Sequence, residues 1–105
     1  MKKPNTDYKT DLIERLKNKA YAMDYLRESL LLSLNDGDGA SYQLALRDVA
    51  EAQGGIALVS KRAGLQRENS YRILSKERNP RFNSILKLSK AVGFNFGVNL
   101  KHKMS

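Results

Sequence analysis

From residue 7 to residue 92, apolar side chains recur every three or four positions, and glycines cut the runs. A 3.6-residue period brings such positions onto one face of a helix, so this pattern restricts the chain to short packed helices. Residues 7–16 carry Tyr8, Leu12, Ile13 and Leu16 at that spacing. Asn18 is placed to cap a second helix carrying Tyr21, Tyr25, Leu26, Ser29, Leu30 and Leu34. Its run "LLLSL" is apolar around much of the circumference and predicts a well-buried helix. The stretch "NDGDG", residues 35–39, is turn chemistry. A third helix with Tyr42, Leu44, Ala45, Leu46, Val49, Ala50 and Ala52 stops at Gly54 and Gly55. A short helix over Ile56–Ala63 breaks at Gly64, and a second short helix follows over residues 66–75. After the loop "KERNP", a helix over residues 83–92 turns Phe82, Ile85, Leu88 and Val92 inward and ends at Gly93.

The last segment changes period. Phe94, Phe96, Val98 and Leu100 alternate with Asn95, Gly97, Asn99 and Lys101, as in a strand with one buried face. The expected fold class is therefore all-α, a small multi-helix domain with one short C-terminal β-strand. A lone strand leaves its backbone unpaired. It could pair with the same strand of a second copy across a two-fold axis. It could add to a partner's sheet, or pack on the helices with both edges wet. At 105 residues the chain fits a single domain, 1–105. It divides into an N-terminal helical part (1–55), a central part (56–93) and a C-terminal strand and tail (94–105).

Charge segregates along the chain. Residues 1–55 hold eight Lys/Arg and nine Asp/Glu, whereas residues 56–105 hold eleven Lys/Arg and only Glu68 and Glu77. A net +9 in one half attracts phosphate polymers, although a charge run is also the mark of a solvated face. There is no cysteine, which excludes disulfides and thiolate metal sites. No apolar run approaches the roughly 20 residues of a membrane span. "MKKPNTDYKTD" lacks the apolar stretch of a secretory signal, so the cytoplasm is the expected location. His102 is the only histidine, and no Ser/His or metal-ligand spacing accompanies it. Neither an enzyme, nor a metal site, nor a cofactor is expected.

The order of residues in "GLQRENSYRILSKERNP", 64–80, separates the two meanings of the charge. Two short helices joined through a glycine make a helix–turn–helix. Gly64 supplies the positive φ of the turn. Leu65 plugs the space between the helices, and the small Ser60 lets them approach. Ile73 and Leu74 anchor the second helix, which turns Arg67, Glu68 and Tyr71 outward. Gln66, Arg67, Asn69, Tyr71 and Arg72 are then candidates to read base edges in double-stranded DNA. Lys61, Arg62, Ser75, Lys76, Arg78 and Arg81 are candidates for phosphate contacts. The helix beginning near Asn83 could add backbone N–H groups to a phosphate. Ser70 falls on the inward side, and a bond from its hydroxyl to a backbone carbonyl is expected. Each feature also has a structural meaning: Gly64 as an ordinary helix C-cap, Tyr71 folded onto the core, Arg67 and Glu68 as solvated neighbours.

The stretch "ALVSKRAGLQRENSYRILSKERNPRFNSILKLSKAVGFNFGV" resembles the phage-repressor-like (Xre-type) helix–turn–helix proteins, and within them the HigA-like addiction-module antidotes. The family's pattern is similar to Gly64, Leu65, Arg67, Glu68, Tyr71, Arg72, Leu74, Ser75, Asn79, Pro80, Phe82 and Gly93 here. The earlier "YLRESLLLSLNDGD" and "YQLALRDVAEAQGG" also resemble the family's N-terminal part, so the likeness covers about residues 21–100. Gln66 stands where the family often has a serine N-cap, Ser70 where leucine is usual, and Arg78 where glycine is common. The resemblance implies an antitoxin that dimerises, binds its own operator and neutralises a RelE/HigB-like ribonuclease toxin. A stand-alone phage-type repressor and a basic protein-interaction module remain as alternatives.

Overall fold

Six helices make up the framework of the computed structural model, which describes residues 4–99: α1 (Pro4–Leu16), α2 (Lys19–Asp36), α3 (Ala40–Ala52), α4 (Ile56–Ala63), α5 (Arg67–Ser75) and α6 (Phe82–Ala91). Their boundaries follow the punctuation of the sequence. Asn18 caps α2 by accepting the Tyr21 N–H at 2.9 Å. Gly37, Gly54, Gly55, Gly64 and Gly93 all have positive φ, and each lies just beyond the end of a helix or next to one. None of the described helices is long and apolar enough to cross a membrane.

The core is continuous through both halves of the chain. It joins Leu12 and Leu16 of α1, Leu26 and Leu30 of α2, Leu46 and Val49 of α3, Val59 of α4, Ile73 and Leu74 of α5, and Leu88 of α6. Helix α3 runs through its centre and packs against every other helix. Its buried acid is paired, although Asp48 Oδ1 itself accepts no hydrogen bond. The Asp48 carboxylate faces Lys9 Nζ at 3.1 Å and accepts the Tyr25 hydroxyl at 3.1 Å. Burial first, and the Asp48 charge second, push the Tyr25 phenol well above its usual range. Burial does the same to Tyr42. The Tyr42 hydroxyl lies 2.7 Å from Ser89 Oγ, which itself donates to the Ile85 carbonyl at 2.7 Å. The order of donation is therefore Tyr42 to Ser89 to Ile85. It ties α3 to α6 through the core.

The expected C-terminal strand is not formed over residues 94–99. Residues 96–99 make a helical turn, and there is no strand among the described residues. Asn95 Oδ1 accepts the Val98 N–H at 3.2 Å, and Asn99 Oδ1 accepts the Asn95 N–H at 2.7 Å. These local side-chain bonds, with the backbone bond from Asn99 N to Asn95 O at 2.8 Å, replace a ladder. Phe94 is fully buried, Phe96 half-buried and Val98 exposed, so the alternating residues do not share one face; Leu100 lies outside the described residues.

Two other expectations fail for a shared reason. The "LLLSL" helix is not well buried, because α2 packs only one side on the core and leaves Leu31, Leu32 and Leu34 exposed. Phe82 does not face inward: it is 63% exposed at the start of α6 and meets Phe96 edge-on at 6.0 Å. Periodicity reports apolar faces, but nothing among the described residues covers these two.

Candidate nucleic-acid interface

Helices α4 and α5 are joined by residues 64–66. Gly64 sits at φ 72°, and the Leu65 N–H reaches back to the Ser60 carbonyl at 3.0 Å. A Cβ at Gly64 would meet no neighbour, so the turn needs glycine for its backbone angle and not for space. Ser60 is buried and its hydroxyl donates to the Ile56 carbonyl at 2.6 Å, which keeps the α4 side of the junction slim. Leu65 packs against the core edge.

Helix α5 buries only Ser70, Ile73 and Leu74. Gln66, Arg67, Asn69, Tyr71 and Arg72 are all exposed. Four of them (Gln66, Arg67, Tyr71 and Arg72) line a shallow concavity of about 730 Å³ together with Glu68 and Lys76. Asn69 is turned aside and accepts a bond from Arg72 at 2.6 Å. The other arm of Arg72 lies 3.7 Å from the Glu77 carboxylate. Lys61 and Arg62 are exposed in the last turn of α4, and Arg78 and Arg81 are exposed in the loop before α6. None of these four lines the concavity.

Neither α5 nor α6 has a side-chain cap at its N-terminus, where Gln66 and Arg81 stand. Backbone N–H groups at an uncapped start are open to an anion. By contrast, the start of α3 is closed: Asp38 Oδ1 accepts the Ala40 N–H at 3.0 Å and Ser33 Oγ the Tyr42 N–H at 2.9 Å.

The model of the probable addiction module antidote protein family matches residues 7–100. The chain belongs to that family. No curated protein and no solved structure matches it. An antidote implies a toxin as partner, and a regulatory rather than an enzymatic role.

Two hydroxyls of this antidote depart from expectation. Ser75 is half-buried and its Oγ is closed to solvent without a hydrogen-bond partner, so it is not available to a phosphate. Ser70 is fully buried, and its Oγ does not make the expected bond to a backbone carbonyl or any other.

The antidote also contains a positioning group that the sequence did not reveal. Gln43 of α3 donates through Nε2 to the Ile73 carbonyl at 2.5 Å and to the Glu77 carbonyl at 2.6 Å. One amide thus spans the C-terminal end of α5 and the start of the loop that carries Arg78. The carbonyls in the last turn of a helix have no partner within it, so this bond pair fixes where α5 ends. A glutamine on a helix surface carries no pattern signal. Only the proximity of α3 to α5 identifies it.

Proposed function

We propose that this antidote is a HigA-like, phage-repressor-type protein that binds the operator of its own toxin–antitoxin module as a dimer. Helices α4 and α5 act as the helix–turn–helix, and the partner it neutralises is a RelE/HigB-like toxin. Arg67, Tyr71, Arg72 and Gln66 read base edges in the major groove, with Asn69 steering Arg72. Lys61, Arg62, Lys76, Arg78 and Arg81 hold phosphates and fix the register. The open starts of α5 and α6 add backbone donors to those phosphates.

The observation that supports this reading best is the division of labour within α5. Its inner side is reduced to three small or aliphatic residues, and its outer side gathers forked donors and a tyrosine around one concavity beside an uncapped N-terminus. The family supports the antitoxin role and a toxin partner in general. The RelE/HigB type rests on the resemblance over about residues 21–100.

Footprinting the purified chain on the DNA upstream of its own gene tests the reading. The expected result is protection of a pseudo-palindrome with half-sites about 10 bp apart, or a multiple of that. Equal protection of a scrambled sequence rejects operator binding and favours the basic interaction module. A neighbouring reading frame whose product is not neutralised by this chain, on co-expression, rejects the antitoxin part.

A further inference from the structure

Glu68 is the one acid among the side chains that line the concavity along α5, beside Arg67, Arg72 and Lys76. Residues 56–105 hold only one other acid, Glu77, and it lies 3.7 Å from Arg72. Glu68 is exposed in the first turn of α5. Its natural partner on the helix is Arg72, four residues on, in the order that favours an ion pair. Arg72 does not turn to it. One arm of Arg72 donates to Asn69 at 2.6 Å and the other faces Glu77. Glu68 is left with no hydrogen bond or ion pair among the described residues.

An unpaired carboxylate does not suit a surface that only neutralises phosphates. B-DNA carries one negative charge per about 1.7 Å of its axis, so a further negative charge there weakens binding to every sequence. An ionised carboxylate offers acceptor oxygens and nothing else. It gains a contact only where the major groove presents a donor, and the base donors there are the amino groups of cytosine and adenine. Guanine presents O6 and N7, and thymine presents O4 and a methyl group, so both are disfavoured. Adenine sets the acceptor N7 beside its amino group, whereas cytosine shows the N4 amino group alone. Cytosine is therefore the base that matches Glu68. Successive residues of a helix do not face each other, so Glu68 and Arg67 address different base positions.

We propose that Glu68 determines operator specificity: its carboxylate accepts from the N4 amino group of one cytosine in each half-site and disfavours guanine, thymine and phosphate at the same place. The proposal rests on α5 being the recognition helix of the proposed function, and not on the toxin part of it. Discrimination of this kind works by rejection as well as by contact. Glu68 lowers affinity for DNA in general and compensates only where a cytosine stands. The ratio of operator binding to non-specific binding, which decides whether a site is found among many competitors, rises with it.

The test is selection from a pool of random duplexes by the full chain, in the parent, Glu68→Gln and Glu68→Ala, with sequencing of the bound DNA. The expected parent motif holds one cytosine position in each half-site that responds to residue 68. In Glu68→Gln that position changes to adenine, because a glutamine amide pairs with adenine N6 and N7. In Glu68→Ala the preference there falls about tenfold or more, and the other positions keep theirs. Binding of both variants to a scrambled duplex at fixed salt rises a few-fold, since a negative charge has left the surface. A Glu68 that served only the dipole at the start of α5 would lower the melting temperature slightly and leave the motif as it is, which overturns the proposal. A uniform gain on every sequence with the motif intact also overturns it, and makes Glu68 a repulsive charge alone. A parent that enriches no motif rejects the operator reading and the proposal with it. A parent motif that both variants retain rejects the proposal and leaves the operator reading standing.

Discussion

Helices α3 and α5 lie against each other and use their sequences in opposite ways. Helix α3 buries six of its thirteen residues, Tyr42, Ala45, Leu46, Asp48, Val49 and Ala50, and its N-terminus is closed by Ser33 and Asp38. Helix α5 buries three of nine, one of them the unpartnered Ser70, and its N-terminus is open. The first is held by what it contains. The second is held from outside, by the core beneath Ile73 and Leu74 and by Gln43 at its end. A helix held in this way can give up its outer surface to a ligand. The cost is that its orientation depends on residues elsewhere.

The contrast is broken most severely in α3. Leu46 is fully buried at the centre of the core. Leu46→Ala should cost about 2–5 kcal/mol in chemical denaturation, through lost burial and the cavity left behind. DNA binding should then fall only in proportion to the unfolded fraction. A specific loss of binding in fully folded protein would show that α3 does more than support. Arg67→Ala is the counterpart in α5. It should leave the melting temperature unchanged and cost about 1–3 kcal/mol in operator affinity at one defined base position. Equal weakening on every sequence would move Arg67 from base reading to phosphate contact.

Gln43 lies between the two. Gln43→Ala removes two bonds to backbone carbonyls and should cost about 1–2 kcal/mol of stability. Gln43→Glu should cost more, because it sets a carboxylate against the carbonyl oxygens of Ile73 and Glu77. If Gln43 positions α5, operator affinity measured well below the melting temperature falls in both variants, and more in the second. If affinity holds while stability drops, Gln43 is a structural tie only.

How much was legible follows from the kind of signal. The six helices were readable because a 3.6 period and glycine punctuation are both local, and Gly64 at φ 72° is a local consequence of the turn. The outward set Arg67, Tyr71 and Arg72 followed from fixing Ile73 and Leu74 inward. The expected strand does not form over residues 94–99 because alternation alone does not weigh what asparagine side chains do to the backbone beside them. Asn95 and Asn99 bond to nearby backbone N–H groups and close a helical turn instead. Phe82 and the outer leucines of α2 failed because an apolar face in a sequence does not say whether the same chain covers it. Gln43 was invisible because its role depends on two carbonyls about thirty residues away.

The smallest expected effect is the most diagnostic for α5. Ser70 is fully buried, stands where the resembling family usually has leucine, and leaves its Oγ without a partner. A buried hydroxyl without a partner is a liability, since its desolvation is not compensated. Ser70→Ala removes that group, opens almost no space, and places a better helix former in mid-helix by about 0.5 kcal/mol. Stability should therefore stay level or rise by up to about 1 kcal/mol. Operator affinity should not change, because Ser70 points away from the concavity that Arg67, Tyr71 and Arg72 line. Ser70→Leu, by contrast, adds volume at a site with no exposed surface and should be destabilising by about 1–3 kcal/mol. A loss of 1 kcal/mol or more in Ser70→Ala would mean that the hydroxyl has a partner in solution. In that case α5 is held by a polar bond on its inner side as well, and the difference from α3 is one of degree.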